Sequence, residues 1–411
     1  MKILSKQKII PKDWNLKKIK DFAADVISGG TPSTIVSEYW GGNILWMNSG
    51  ELNNKKIYDV EGRITQKGLI ESSTRQIPEK SILIGLAGQG KTRGTVAINF
   101  VKLCINQSIA AVLPNESFVP EFLYYNLDHR YKELRSLSTG ASGRGGLNLG
   151  IIKNIHVALP STKKEQEKIV AVLFDTDNLI NNLETLIKKK KNIEQGAMQE
   201  LLTGKRRLEG FHEEWEISEL GKLGYFKGGN GFPEKYQGNK SGEIPFYKVS
   251  DLNNKGNEIF MSHSNNYISK EINLNLKAFI FPTNSIVFAK IGAAIFLERK
   301  RLLTQKSCLD NNLMGFIINT EKINLKFLYY VFLNISLGEL VETTALPSLS
   351  GNNIEKLLIN FPIDNNEQDA ITKIFTNMDS EIDQLEKKLA KYKMIKQGMI
   401  QKLLTGEIRI K

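Results

Sequence analysis

This chain contains one long block of sequence twice, and that constrains its fold more than any other feature. Residues 159–208 and 361–410 align at a constant offset of 202, without gaps, and 19 of the 50 positions are identical. The identities include Pro160/Pro362, Glu165-Gln166/Glu367-Gln368, Gln195-Gly196/Gln397-Gly398 and Leu201-Leu202-Thr203-Gly204/Leu403-Leu404-Thr405-Gly406. A repeat this long means that the fold is two versions of one unit.

The stretches ahead of each block also correspond, more weakly. Trp14 matches Trp215, NILWMNSGELNN (43–54) matches EIPFYKVSDLNN (243–254), and SILIGLAG (81–88) matches SIVFAKIG (285–292). KLCINQ (102–107) matches KSCLDN (306–311), so Cys104 and Cys308 are two copies of one position. FLYY occurs at 122–125 and again at 327–330. The expected order is a globular half (1–160), a shared block (161–205), a second globular half (206–362) and a second block (363–411).

Each block opens after a proline with acidic residues, as a helix N-terminus does. Apolar residues follow mostly in steps of three and four: Ile169, Val172, Leu179, Leu183, Leu186, Ile193 and Ala197, with Thr176 and Lys190 at two seam positions. The second copy gives Ile371, Ile374, Met378, Ile382, Leu385, Leu389, Tyr392, Ile395 and Met399. This is a coiled-coil-like pattern. Each helix would be about 58 Å long at the usual rise. Gly204 and Gly406 stand where such a helix would end. Gly196 and Gly398 fall inside it, which suggests close approach of another helix or a kink. A lone helix with such a stripe needs a partner. Pairing the two blocks requires them to run antiparallel, which returns the C-terminus to the first half. The expected fold class is α+β: two mixed α/β halves separated by a pair of long antiparallel helices, pseudo-two-fold and quasi-circular.

The formal net charge is +12, which favours a polyanionic partner. Two cysteines and four scattered histidines make neither a disulfide framework nor a metal site. No apolar run approaches the ~20 residues of a membrane span, and no signal peptide is evident, so no membrane partner and a cytoplasmic location are expected. The run Lys188–Lys191 reads as a solvated helix face.

Residues 85–92, GLAGQGKT, match the phosphate-cradling pattern G-x-x-x-x-G-K-[ST]. That loop must open a helix, whereas here Gly94 and the β-like TVAINF follow. The duplicate, SIVFAKIGAAIFLER, has no Gly-Lys-Thr. A β-hairpin is therefore expected, with Gln89, Lys91, Thr92 and Arg93 offering groups to DNA phosphates and base edges. A second such loop is STGASGRGGLN (138–148), with Arg144 and Asn148. Its counterpart TTALPSLSGNN (343–353) offers Ser348, Ser350 and Asn352. No catalytic constellation is evident. A P-loop NTPase acting on nucleic acid and a coiled-coil scaffold without sequence readout are the alternatives.

The whole arrangement resembles the specificity subunit of type I restriction–modification systems. The most specific features are LP-x4-EQ-x2-I at 159–169, FP-x4-EQ-x2-I at 361–371, and the QG…LLTG endings at 195–204 and 397–406. Around them stand SGGTP (28–32), WGGNILWMNSGELNN (40–54) and TGASGRGGLN (139–148). The second half departs from this pattern, with KGGNGFP at 227–233 and no Gly-Arg loop.

The resemblance implies a non-catalytic subunit with two target-recognition domains, each reading one half of a bipartite, asymmetric site on double-stranded DNA. It implies helices that set the spacing and dock two adenine-N6 methyltransferase subunits, with motor/nuclease subunits joining the full complex. S-adenosylmethionine would then belong to the methyltransferase, ATP and Mg2+ to the restriction partner, and no cofactor to this chain. DNA contacts are expected also at Thr31, Ser33, Asn48 and Ser49, and at Lys248, Ser250 and Lys290. Docking and helix pairing are expected at Glu165, Gln166, Ile169, Leu183, Gln195, Gly196 and Leu201, and at Glu367, Gln368, Ile371, Leu385, Gln397, Gly398 and Leu403.

Overall fold

The structure is a computed structural model that describes residues 10–88, 91–137, 146–341 and 346–410. It divides into two compact units: residues 1–184 with 387–411, and residues 185–386. This division differs from the four segments read along the chain. The last part of each block packs with the other block's globular half, so the boundaries fall inside the helices.

In the first unit, a five-stranded sheet runs in the order Val26–Ser28, Ile109–Val112, Ile82–Gly85, Val96–Asn99, Lys56–Ile57. Side chains alternate across a sheet, and in the three central strands both sets are buried. Ile82, Ile84, Val96 and Ile98 join one core cluster with Phe122 and Leu123 of the helix Pro120–His129. Leu83, Ala97, Ile109 and Ala111 join a second cluster with Met47 and Leu52. Two buried faces explain why these strands read as unbroken apolar runs.

A four-stranded sheet, in the order Arg63–Ile64, Trp40–Met47, Leu103–Ile105, Gln76–Ile77, has its strands interleaved with these along the chain. Trp14–Lys18 pairs antiparallel with His156–Pro160, Trp14 facing Pro160.

GLAGQGKT lies between two antiparallel strands, with Ile82 opposite Ile98 and Ile84 opposite Val96. Gly94 donates its N–H to the Gly85 carbonyl at 2.9 Å, and its φ of +79° needs a residue without a Cβ. Val96–Asn99 is a fully buried strand where a nucleotide loop would need a helix. The hairpin expectation holds.

The second unit repeats this plan. Its five-stranded sheet has the order Gly224–Gly228, Leu313–Ile318, Ile286–Ala289, Lys300–Leu303, Phe260–Met261. Trp215–Glu219 pairs antiparallel with Leu358–Pro362, Trp215 facing Pro362. The cysteine equivalence is borne out by parallel pairings: Cys104 faces Trp46, and Cys308 faces Phe246. Both thiols are free and buried, and burial raises them to about 11 and about 12.

The two blocks form helices of 39 residues, Lys163–Leu201 and Asn365–Leu403. Gly204 and Gly406 follow them at φ +73° and +74°. Within each unit the helix segments run antiparallel. In the first, Lys396 pairs with Asp177 at 2.5 Å and Lys393 with Glu184 at 2.6 Å. In the second, Lys190 pairs with Glu381 at 2.8 Å and Lys191 with Glu386 at 2.6 Å. Half of the Lys188–Lys191 run is thus engaged by the other helix, not merely solvated.

The seam differs from the sequence expectation in register. Ile169, Leu173, Ile180, Leu183 and Ile187 are buried, whereas Leu186 and Ile193 are 39% and 47% exposed. In the second helix Ile371, Phe375 and Ile382 are buried, whereas Ile395 is 40% exposed. The burial follows strict four–three steps. A position one residue off that path lies about 100° around the helix. The same steps place Glu194 and Lys396 on the seam.

Gly196 and Gly398 differ from expectation too. A Cβ at either would meet nothing within 4 Å, so nothing else in this chain packs on the side where a side chain would stand. Both lie inside unbroken helix.

Candidate nucleic-acid interface

In the first unit the loops after Gly85 and before Leu149 are tied to one rim. Leu147 donates to the Leu86 carbonyl at 3.0 Å, and Leu86 donates to the Ser108 carbonyl at 2.8 Å. Thr31 joins them through its hydroxyl, which donates to Gln107 Oε1 at 2.6 Å. Lys91 is exposed, with its carbonyl held by Thr95 Oγ1 at 2.7 Å and Tyr131 Oη at 3.0 Å. Thr92 and Arg93 are half-buried beside it, and Ser33 is exposed. Gln89 and Arg144 lie outside the described residues. Gln107 was missed by sequence reading, although it sits three residues after the duplicated cysteine.

The second unit builds the equivalent rim from other side chains. Leu349 donates to the Lys290 carbonyl at 2.9 Å, Gly292 to the Pro347 carbonyl at 2.8 Å, and Lys290 to the Asn312 carbonyl at 2.8 Å. Ser348 bridges to Ile291. Lys290 Nζ lies 3.4 Å from where a Gly228 Cβ would stand. Lys227 Nζ lies over the Phe279 ring at 5.8 Å. Lys227 also was not singled out from sequence, although it precedes the quoted Gly-Gly.

Several expected readers have local structural work. Asn48 Oδ1 accepts from Gly50 N at 2.8 Å, and its Nδ2 donates to Glu51 at 3.0 Å, capping the turn that begins at Ser49. Asn148 caps the helix Leu149–Lys153 by accepting from Ile151 N at 2.9 Å. Lys248 Nζ donates to Gln237 Oε1 at 2.8 Å. Ser250 and Asn352 are exposed, and Ser350 is the half-buried N-cap residue of the helix Gly351–Glu355.

The duplicated block residues divide by exposure. Glu165 and Gln166 are buried, as are Glu367 and Gln368. Gln166 accepts from Val119 N at 2.8 Å and donates to the Pro160 carbonyl at 3.2 Å. Gln368 accepts from Asn324 N and donates to the Pro362 carbonyl, both at 2.8 Å. Each Gln therefore fastens its helix start to its own unit's short helix and two-stranded sheet.

The glutamates hold arginines from the other block's tail. In the first unit Arg409 binds Glu165 at 2.5 and 2.8 Å and Asp13 at 2.7 and 2.7 Å. A cavity of about 270 Å³ lies at this clasp, lined by Asp13, Glu165, Lys168 and Arg409 among others. In the second unit Arg207 binds Glu367 at 3.0 and 2.6 Å, and Trp215 Nε1 donates to the same carboxylate at 3.2 Å. Bidentate guanidinium–carboxylate contacts of this kind are strong and directional. The glycine ending each block packs on the tryptophan: a Cβ on Gly406 would sit 2.5 Å from Pro11 and 3.3 Å from Trp14, and one on Gly204 3.0 Å from Trp215.

Ile169, Leu183, Leu201, Ile371 and Leu403 are buried and Leu385 half-buried. Gln195, Gly196 and Gln397 are exposed, and Gly398 is half-buried in open space. Among the described residues no group of three or more His, Cys, Asp or Glu is placed to hold a metal, and no helix is long and apolar enough to cross a membrane.

Comparison with known proteins agrees with the duplication. The model of the type I restriction modification DNA specificity domain matches twice, at residues 11–195 and 212–393. The chain is 30% identical to the MjaIX type I restriction enzyme specificity subunit of Methanocaldococcus jannaschii, over 98% of this chain and 95% of that protein. It is 27% identical to the HindI specificity subunit of Haemophilus influenzae, over 47% of this chain and 42% of that one. In fold it is similar to the S subunit of a type I system from M. genitalium, with a TM-score of 0.59 at 17% identity, covering 98% and 97% of the two chains. A structure described as concerning complex assembly and conformational transition of the type I R-M system gives 0.62 at 12% identity, covering 97% and 99%. This chain belongs to the family of type I restriction–modification specificity subunits, the non-catalytic members of those enzymes.

Proposed function

We propose that each unit reads one half of a bipartite, asymmetric site on double-stranded DNA. The carrying observation is that two rims of the same backbone design present different side chains. Lys91, Arg93 and Thr31 belong to the first; Lys227, Lys290 and Ser348 belong to the second. Phosphate contacts position a protein on DNA and base contacts specify the sequence. Unlike rims on a duplicated plan suit unlike half-sites, as identical ones suit palindromes. The net charge of +12 supports a polyanionic partner.

The helices set the half-site spacing and dock two adenine-N6 methyltransferase subunits, and motor/nuclease subunits complete the restriction complex. What supports docking is that Gln195-Gly196 and Gln397-Gly398 are kept in both copies, although neither glycine has a neighbour that requires it. S-adenosylmethionine, ATP and Mg2+ belong to those partners, and the assembly works in the cytoplasm. The direct test measures DNA affinity against salt for the methyltransferase complex. Lys91→Ala and Arg93→Ala should each weaken binding and flatten the salt slope by about one unit per lost phosphate contact. Unchanged slopes in both would turn this loop away from DNA.

A further inference from the structure

The two units solve one structural problem with opposite chemistry. Asp177 and Asp379 are duplicates, as are Glu194 and Lys396, at the offset of 202. Each aspartate accepts from the second tyrosine of its FLYY motif: Tyr125 Oη to Asp177 at 2.7 Å, and Tyr330 Oη to Asp379 at 2.6 Å. In the first unit the facing seam residue is Lys396, 2.5 Å from Asp177, with Lys56 at 3.1 Å on the other oxygen. In the second unit the duplicate of Lys396 is Glu194, and its carboxyl neighbours that of Asp379. A cation opposes the aspartate in one copy and a second carboxyl opposes it in the other.

We propose that the second unit carries a proton-operated latch, in which a protonated Glu194 donates to Asp379 and loss of that proton loosens the end of the helix Lys163–Leu201. Two carboxylates packed together cannot both ionise cheaply, so one keeps a proton and donates it to the other. Burial, reinforced by the Asp379 carboxylate, pushes Glu194 up to about 7. Glu194 Oε1 is buried without a hydrogen-bond partner, so an ionised Glu194 would be poorly solvated. The charged neighbours offer limited relief. Lys191, one turn earlier, lowers Glu194 but is already paired with Glu386; Lys190 is paired with Glu381; Tyr330 already donates to Asp379. In the first unit the sign is reversed. Burial pushes Asp177 up, but the bonds from Lys396 and Tyr125 outweigh it and hold that carboxyl below its ordinary value.

The direction with pH follows. Glu194 binds its proton more tightly folded than unfolded, so its stabilising contribution is complete below about 4.5 and is lost as pH rises through about 7. What loosens first is the helix end that carries Ala197, Met198, Leu201 and Leu202 into the second unit's core.

The test is hydrogen exchange on the full chain, alone, corrected for the intrinsic pH dependence of exchange. From about pH 5.5 to about pH 8, protection of residues 185–201 and 365–386 should fall on the order of tenfold more than that of 163–184 and 387–403. Glu194→Gln, which keeps a donor to Asp379 but cannot ionise, should remove that difference. Glu194→Lys, which copies the first unit, should also remove it and raise protection. A Glu194→Gln chain that keeps the wild-type pH dependence, or parallel loss in both units, would overturn the proposal.

Discussion

The two units share one plan and differ in how they fasten it. In the first, Arg409 is held by two carboxylates, Glu165 and Asp13. In the second, Arg207 has the Glu367 carboxylate, and Trp215 shares that acceptor. The first closes its seam with Lys396 and Asp177; the second meets itself there with Glu194 and Asp379. The comparison teaches that a duplicated frame tolerates exchange of individual contacts while the helix starts and ends stay fixed. The first unit is charge-rich and redundant, and the second depends on single partners.

The largest effects should come from the apolar anchors of the two helices. Leu173 and Phe375 are duplicates, and both are fully buried in the cores of their units. Leu173→Ala should cost about 2–5 kcal/mol and Phe375→Ala about 3–5 kcal/mol, measured by denaturant unfolding. The loss should appear as reduced exchange protection of the first and second unit respectively.

The clasps come next. Glu367→Ala strips a fully buried acceptor from both Arg207 and Trp215 and should cost roughly 1–3 kcal/mol, because it leaves two half-buried donors without that partner. Glu165→Ala should cost less, about 1–2 kcal/mol, since Arg409 retains Asp13. Equal losses would remove the claim of redundancy in the first unit.

A smaller contrast concerns the tyrosines. Tyr125→Phe and Tyr330→Phe each delete one hydrogen bond to an aspartate, worth about 1 kcal/mol. Tyr125→Phe should be nearly independent of pH around neutrality. Tyr330→Phe should be more damaging above neutral pH than below it, because Asp379 then faces an ionised Glu194 without a neutral donor. Identical pH profiles would blunt the comparison.

The smallest effect has the opposite sign. Gly196→Ala and Gly398→Ala should stabilise the free chain by up to about 1 kcal/mol each, because a methyl there meets open space inside a helix. If these glycines serve methyltransferase docking, the same variants should bind the methyltransferase more weakly in pull-down titration.

Much of this was legible in the sequence, for a physical reason. The block identities fixed the two helices and their terminal glycines. The β-like TVAINF after Gly94 revealed a hairpin where a motif match suggested a nucleotide. The seam register was less legible, because helical steps of 3.6 and 3.5 separate slowly and Leu186 and Ile193 lie one residue off the buried path. Asn48 and Asn148 show another limit: the amide that suits a base edge also suits a helix cap, and sequence alone does not distinguish the two. The pairing of Arg409 with Glu165 spans 244 residues, and no local pattern announces it. It could have been sought, because Arg207/Arg409 and Glu165/Glu367 are both kept in the duplication.

The central claim is that one chain carries two independent readers. Its most direct test replaces residues 1–158 with the corresponding segment of another family member, co-expresses the chimera with its methyltransferase, and maps adenine methylation across the genome. The methylated motif should change in one half-site and keep the other unchanged. A motif altered in both halves, or in neither, would contradict the account.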